Sequence, residues 1–139
     1  MQAEKKDPKL TESVEDYLES ILVLSTQLPH VRSVDVASHL GYSKPSVSHA
    51  VKMLTEEGYL EVTPGKFLVL SEKGYKIAES TYRRHVFFTE MLTSIGVDLE
   101  VAREDACRIE HVISEETFQA IMNYYNQKEK ADTRQAEDK

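Results

Sequence analysis

The chain has 139 residues, of which 40% are hydrophobic and 29% charged, a composition typical of a soluble folded protein rather than a disordered one. No apolar run reaches the roughly 18 residues that a membrane-spanning helix needs, and the opening segment MQAEKKDPKL has no apolar signal region. A single cysteine cannot form an intramolecular disulfide. We therefore expect a cytoplasmic protein with no membrane partner.

Charge is unevenly distributed along the chain. The net charge is −7, yet residues 30–84 carry 8 Lys and Arg against 6 Asp and Glu, while residues 85–139 carry 6 against 12. A mildly basic middle with acidic flanks is compatible with DNA bound by the middle and a cation bound by the flanks. It is equally compatible with many proteins that bind neither.

Residues 1–10 are polar, and we predict that they form a disordered tail. Apolar residues at helical spacing then predict a first helix, with Thr11 or Ser13 as its cap, which ends before Pro29. The domain that begins here is predicted to cover residues 11–71.

Two shorter helices are predicted next. Ser33 is expected to cap the first of them, which ends at Gly41. Ser43 is expected to cap the second, which has Pro45 in its first turn and ends at Gly58. Two helices joined by a tight turn are typical of a helix-turn-helix.

A hairpin follows these helices. Residues 59–62 and 67–70 are predicted strands, and Pro64 and Gly65 occupy the central positions of the turn between them. We expect a type II turn, in which Gly65 adopts the positive φ. Helices followed by a two-stranded wing indicate a winged helix-turn-helix DNA-binding domain.

The remaining chain is predicted to be helical. A long helix covers residues 71–94, and Gly96 prevents it from continuing. Asp98 caps the next helix, and a last helix covers residues 115–127. The fold class is therefore mainly α, with a second, helical domain over residues 72–127 and a disordered tail over residues 128–139.

The helix capped by Asp98 carries a possible metal site. Cys107, Glu110 and His111 stand at positions i, i+3 and i+4, so a helix presents their thiol, carboxylate and imidazole on one face. The alternative is a small core thiol beside a solvated helix face.

Two other segments could complete this coordination shell. Asp16 and Glu19 stand at i and i+3 of the first helix, and His85 lies on the long helix. Taken alone, the carboxylates could be a solvated face and His85 a surface histidine. Mixed oxygen and nitrogen donors suit Mn²⁺ or Fe²⁺, and a thiolate favours Fe²⁺, Co²⁺ or Zn²⁺. Structural zinc normally uses paired cysteines, so an exchangeable sensing site is the better hypothesis.

The third helix is the predicted recognition helix. Ser and His side chains can bond base edges, and Lys can bind phosphates. The alternative for each is a solvated surface side chain. The residues predicted to contact DNA are Ser43, Lys44, Pro45, Ser46, Ser48, His49 and Lys52, with Lys66 at the wing tip. Lys73 and Lys76 could hold the flanking DNA backbone.

Five motifs resemble the diphtheria-toxin-repressor family of metal-dependent transcriptional regulators and occur in that family's order. They are VEDYLESI at 14–21, KPSVS at 44–48, LSEKG at 70–74, RH at 84–85 and IEH at 109–111. The resemblance covers residues 11–127. We expect no SH3-like C-terminal domain of the kind that longer members have, so the layout is similar to that of the short, manganese-repressor branch.

This resemblance implies a homodimer that binds double-stranded operator DNA when loaded with metal and regulates metal-homeostasis genes. It also implies that the second domain serves metal binding and dimerisation, and that the six donor residues are ligands. Cys107 stands where the manganese branch typically has Glu and the iron branch has Cys. Thr89 and Arg103 stand where the iron branch has the Glu and His of an ancillary site. Mn²⁺ or Fe²⁺, and one ion or two, all stay open.

The resulting hypothesis is that metal ties the first helix to the second domain and so fixes the angle between two recognition helices. One alternative is a winged-helix regulator that senses an organic ligand. Another is a metallohydrolase that activates water. No conspicuous general base or substrate-positioning loop remains once the ligands are assigned, so we expect a regulator and not an enzyme.

Overall fold

A computed structural model describes residues 11–137, so the tail predicted for residues 1–10 lies outside the described residues. The chain divides into two compact units, Met1–Val86 and Phe87–Lys139, with the division inside the fourth helix. None of the described helices is long and apolar enough to span a membrane. The elements are α1 (Glu12–Gln27), α2 (Ser33–Leu40), α3 (Lys44–Glu56), β1 (Leu60–Val62), β2 (Leu68–Leu70), α4 (Glu72–Ser94), α5 (Leu99–Val112) and α6 (Glu115–Glu137).

Helix α1 begins at the predicted cap. The Thr11 hydroxyl accepts a hydrogen bond of 3.3 Å from the amide of Val14, and the helix ends at Gln27, before Pro29. Its inward face carries Val14, Leu18, Ile21 and Leu24, all buried in the first unit. The predicted spacing of apolar residues is confirmed.

The cap of α2 differs from the prediction by one residue. Arg32, not Ser33, is the N-cap. Its backbone amide donates a hydrogen bond of 2.9 Å to a carboxylate oxygen of Asp35. The acceptor comes from the third helical residue, so the cap needs no hydroxyl of its own. Gly41 ends the helix with φ +72°, as predicted.

Helix α3 follows the prediction closely. Ser43 accepts 3.3 Å from the amide of Ser46, and Pro45 lies in the first turn, where its missing amide proton removes no helical bond. The helix buries Val47, Ala50 and Leu54 and leaves the opposite face exposed.

Strands β1 and β2 pair antiparallel, with Leu60 opposite Leu70, but the turn between them is not type II. The amide of Lys66 donates 2.8 Å to the carbonyl of Thr63, and the positive φ of +63° belongs to Lys66 instead of Gly65. This is a type I turn followed by a left-handed residue. A Cβ on Gly65 would lie 2.9 Å from the Phe67 ring, so a larger residue there would require that ring to shift.

Helix α4 is tied to the end of α3 by its first turn. The Ser71 hydroxyl donates 2.6 Å to the carbonyl of Gly58, and the Ser71 amide donates 3.0 Å to that of Tyr59. A Cβ on Gly74 would clash with the Tyr59 carbonyl oxygen. Gly74 is therefore what allows the two backbones to approach.

The first unit is a winged helix-turn-helix, as predicted. Its core combines α1, α2, α3, the wing and the first part of α4. The buried apolar residues are Val14, Tyr17, Leu18, Ile21, Leu24, Val31, Val36, Ala37, Val47, Ala50, Leu54, Tyr59, Leu60, Leu68 and Ala78.

The second unit contains the end of α4, then α5 and α6. Asp98 caps α5 as predicted, because its carboxylate accepts a hydrogen bond of 3.2 Å from the Glu100 amide. Phe88, Ala106 and Phe118 form a small buried cluster. The Phe87 ring meets the Phe118 ring edge-on at 5.6 Å.

Helix α6 extends ten residues beyond the predicted end at Gln127. It continues to Glu137, so the tail predicted to be disordered is helical over residues 128–137. Its described side chains over 128–136 are exposed. The apolar pattern stops at Tyr125 and gave no reason to extend the helix, whereas KEKADTRQAE contains no Gly or Pro and is rich in helix-forming residues.

Candidate metal centre and nucleic-acid interface

Three donor side chains converge on α5. Cys107, Glu110 and His111 stand at i, i+3 and i+4, and their donor atoms lie within 4.8 Å of one another. Glu110 is fully buried and His111 is 7% exposed, while Cys107 is exposed. The alternative of a core thiol is therefore wrong. We call these three residues the α5 donor set.

Glu110 and His111 form a close acid–imidazole pair. Glu110 Oε1 lies 3.3 Å from His111 Nε2, and each side chain is only 1% exposed. Burying a carboxylate is expensive unless a positive group or good hydrogen bonds compensate its charge. Buried carboxylate, imidazole and an accessible thiol are chemically suited to hold a transition-metal cation.

A second donor set lies in the first unit, on α1 and α4. A carboxylate oxygen of Glu19 and a ring nitrogen of His85 lie within 4.8 Å of each other, although the residues are 66 apart in sequence. Asp16 stands one turn before Glu19, and all three side chains are partly buried. They are not a plain solvated face. We call Asp16, Glu19 and His85 the α1–α4 donor set.

Polar groups that were not predicted from the sequence are buried beside this second set. Glu15 is 4% exposed and Thr81 is 2% exposed, and the Thr81 hydroxyl donates 3.1 Å to Glu15 Oε2. Arg84 is also buried, at 8%. The sequence could have indicated the burial of Glu15, because this residue stands three residues before Leu18 and seven before Leu22, on the apolar side of α1.

One further ionisable group has a perturbed environment. Burial raises the pKa of the Tyr17 phenol above its ordinary value of 10.0, and the neighbouring phenol of Tyr42 raises it further. The two rings meet edge-on at 5.7 Å, where the turn between α2 and α3 passes α1. Tyr17 is therefore neutral at physiological pH and belongs to the packing of the first unit.

The residues predicted to contact DNA all lie on the exposed surface of the first unit. Ser43 also has a structural role, because its hydroxyl donates 2.8 Å to that of Ser46 at the start of α3. Lys73, by contrast, makes contacts within the first unit. Its ammonium donates 3.3 Å to the carbonyl of Glu57 and lies 4.3 Å from the centre of the Tyr59 ring.

Two further basic side chains, which were not predicted from the sequence, pack against the wing from the segment between α1 and α2. The His30 ring stacks on Phe67 at 4.2 Å, and the Arg32 guanidinium lies 5.0 Å from the centre of the same ring. Val31 stands between them and accepts 2.7 Å from the amide of Leu68, so this segment runs alongside β2. The alternation of His30 and Arg32 about an apolar Val31 is typical of an extended segment and could have indicated these two residues from the sequence.

Two family models match consecutive parts of the chain. The iron-dependent repressor N-terminal DNA-binding domain matches residues 9–68, and the iron-dependent repressor metal-binding and dimerisation domain matches residues 71–135. The chain belongs to the iron-dependent repressor family. The family is thus one of metal-dependent transcriptional repressors, which confirms the resemblance drawn from the five motifs.

Relatives agree with this assignment. The transcriptional regulator MntR of Salmonella typhimurium is 34% identical over 116 residues, covering 84% of this chain and 74% of the relative. MntR of Escherichia coli O157:H7 is 37% identical over 110 residues, covering 79% and 71%. Both relatives are transcriptional regulators.

Solved structures show the same fold. The manganese regulator SloR is 28% identical with a TM-score of 0.67, and the match covers 83% of this chain and 55% of SloR. The metal-dependent transcriptional regulator MtsR is 24% identical with a TM-score of 0.75, covering 84% and 55%. The chain therefore spans about half the length of these two proteins, and at 24% identity the second supports the fold alone.

Proposed function

We propose that this protein is a homodimeric repressor that binds operator DNA when loaded with Mn²⁺ or Fe²⁺. The observation that carries the proposal is the presence of two donor sets in a chain of the iron-dependent repressor family. One set stands on the helices of the winged helix-turn-helix unit, and the other on α5. The domain descriptions of the family and the exposed α3 support DNA binding and dimerisation.

The proposed ligands are the α1–α4 donor set and the α5 donor set together. Three carboxylates, two imidazoles and a thiol are donors of the classes that Mn²⁺ and Fe²⁺ accept, and Cys107 shifts the preference toward Fe²⁺, Co²⁺ or Zn²⁺. A bound divalent cation would add positive charge beside these carboxylates. In its absence, like charges disfavour bringing the carboxylates together.

Regulation is proposed to arise because each donor set belongs to a different unit. Occupying both sets would couple the unit that reads DNA to the unit that dimerises, and so restrict the recognition helices of a dimer. Two such helices must enter the major groove about one helical turn apart, so restricting their geometry raises DNA affinity. Coupling of about 1–3 kcal/mol, typical of allostery, gives a roughly 5–150-fold gain.

In this proposal α3 supplies direct contacts to the DNA. Ser48 and His49 project from its exposed face toward base edges, while Lys44, Lys52 and the wing residue Lys66 bind phosphates. The positively charged or polar contacts make binding steeply dependent on salt.

The test is fluorescence anisotropy with a labelled DNA fragment from upstream of the gene for this protein. Mn²⁺, Fe²⁺ and Zn²⁺ are titrated anaerobically at fixed salt, with a chelator control. We expect one metal to tighten binding roughly 5–150-fold and the chelator to reverse it, on the order of the coupling above. DNA binding that ignores both metal and chelator would instead support a winged-helix sensor of a non-metal ligand.

A pair of variants assigns the effect to the donor sets. His85→Ala should abolish the metal-dependent gain while the protein remains a folded dimer by sedimentation. His39→Ala, an exposed histidine on α2 outside both donor sets, serves as the control and should keep the ratio of affinities with and without metal. An unchanged ratio in His85→Ala contradicts the ligand assignment.

A further inference from the structure

Helices α1 and α4 meet through two pairs of polar side chains spaced by the same interval. Glu15 is hydrogen-bonded to Thr81, and donor atoms of Glu19 and His85 lie within 4.8 Å of each other, so the partners on both helices advance by four residues. Four residues are about one helical turn, which places the two pairs on the same faces, one turn apart. All four residues belong to the first unit.

The first of these pairs is buried. Glu15 is 4% exposed, Thr81 is 2% exposed, and the hydroxyl donates 3.1 Å to the carboxylate. The Thr81 hydroxyl also lies 3.0 Å from the carbonyl oxygen of Ile77, so one proton is shared between two acceptors. An interhelical hydrogen bond to a carboxylate at this depth restricts the local spacing of the two helices, because breaking it removes a bond where water cannot replace it.

We propose that the Glu15–Thr81 hydrogen bond is a strut that positions Glu19 opposite His85 before any cation arrives. Neither Glu15 nor Thr81 is a ligand here; both are positioning residues that act through the backbones of α1 and α4. This inference rests on the proposed function, in which Glu19 and His85 are ligands.

Groups that orient metal ligands without touching the metal commonly contribute roughly 10–100-fold to metal affinity. The Glu15–Thr81 bond acts one helical turn away from the donors, so we expect the lower end of that range. Thr81→Val keeps the shape of the side chain and removes the hydroxyl. It should weaken Mn²⁺ binding on the order of tenfold.

Thr81→Ser, which keeps the hydroxyl, should restore the affinity. Thr55→Val is the matched control. Thr55 also bonds the carbonyl four residues earlier, at 2.7 Å to Val51, but it is exposed and makes no interhelical bond. The affinity of Thr55→Val for Mn²⁺ should equal that of the wild type.

Two measurements on the full chain test the strut. Mn²⁺ affinity is measured by competition with a fluorescent chelator, and amide hydrogen exchange of α1 is measured on the metal-free protein. Thr81→Val should lower the affinity and also speed exchange around Glu15–Glu19, while Thr81→Ser and Thr55→Val do neither. If either quantity in Thr81→Val matches the wild type, the proposal is overturned. Thr81→Ala, which lacks both the γ-methyl and the hydroxyl, replaces Thr81→Val in both measurements should the latter fail to fold.

His85→Ala separates this inference from the proposed function. If His85→Ala loses Mn²⁺ binding and Thr81→Val does not, only the strut is wrong. If His85→Ala binds as tightly as the wild type, the ligand assignment is wrong and the strut falls with it.

Discussion

The two units differ in how much apolar surface they bury. Among residues 11–137, the first unit buries 15 apolar residues and leaves 7 large ones exposed, whereas the second buries 4 and exposes 5. Val112 is 81% exposed and Tyr124 71%. The first unit has the core of a small self-sufficient domain. The second has too little buried apolar area for that, which accords with a family domain described as serving dimerisation.

The largest effect should come from the core of the second unit. Phe118→Ala removes a fully buried ring that contacts Phe87 and Phe88, at about 3–5 kcal/mol. Because only four buried apolar residues among those described support this unit, we expect it to unfold while the first unit stays folded. Hydrogen exchange resolved along the chain measures this directly.

Leu18→Ala is the counterpart in the first unit. Leu18 is fully buried on α1, and its truncation should lower the free energy of unfolding by about 2–5 kcal/mol. The winged-helix unit should nevertheless remain folded at room temperature, as followed by the same hydrogen exchange. If Phe118→Ala and Leu18→Ala left both units folded, or unfolded both, the contrast between the two cores would be contradicted.

A smaller and more local effect is expected at the junction of α3 and α4. Gly74→Ala introduces a Cβ into the carbonyl oxygen of Tyr59 and should destabilise the first unit by about 1–3 kcal/mol through overpacking. Gly58→Ala is the comparison variant, since Gly58 has φ +83° but an open space around its Cβ. Its cost should be the left-handed backbone alone, about 1–2 kcal/mol.

Urea unfolding followed by circular dichroism gives both free energies. Gly74→Ala should also perturb amides at the end of α3, whereas Gly58→Ala should act only at its own turn. Perturbation of the second unit by either variant would show that the two regions are less independent than their cores indicate.

The smallest expected effect is a gain in stability at the wing. Lys66 holds φ +63° without being glycine, so Lys66→Gly relieves backbone strain. We expect about 0.5–1 kcal/mol of added stability, measured by thermal unfolding, since the relief is partly offset by the entropy of glycine. Loss of stability would mean that the Lys66 side chain contributes more than its strained backbone costs.

Much of the fold could be predicted because local chemistry decides it. Thr11, Ser43 and Asp98 cap helices as their side chains dictate, and Gly41 ends α2 through a positive φ. The turn at the wing could not be predicted this way. The Pro-Gly pair fits a type II turn, but the loop instead forms a type I turn followed by a left-handed residue, so the positive φ falls on Lys66.

The candidate site likewise has one part that could be predicted from the sequence and one part that could not. Spacing at i, i+3 and i+4 brought Cys107, Glu110 and His111 together on α5, as the structure has them. The hydrogen bond between Glu15 and Thr81 joins residues 66 apart, and only the packing of α1 against α4 creates it. The role of both donor sets as ligands stays a prediction.

The contacts at Gly74 hold the first turn of α4, so a small tilt of this helix displaces its far end the most. Backbone contact with Tyr59 and the bonds from Ser71 clamp one end of α4 to the exit of α3. His85 lies eleven residues further along the same helix, about 16 Å away, so a tilt of about 5° moves that end by about 1.4 Å. With α3 as the proposed recognition helix and His85 as a proposed ligand, we expect a change in how His85 is held to reach α3 as a small rotation about the Gly74 junction.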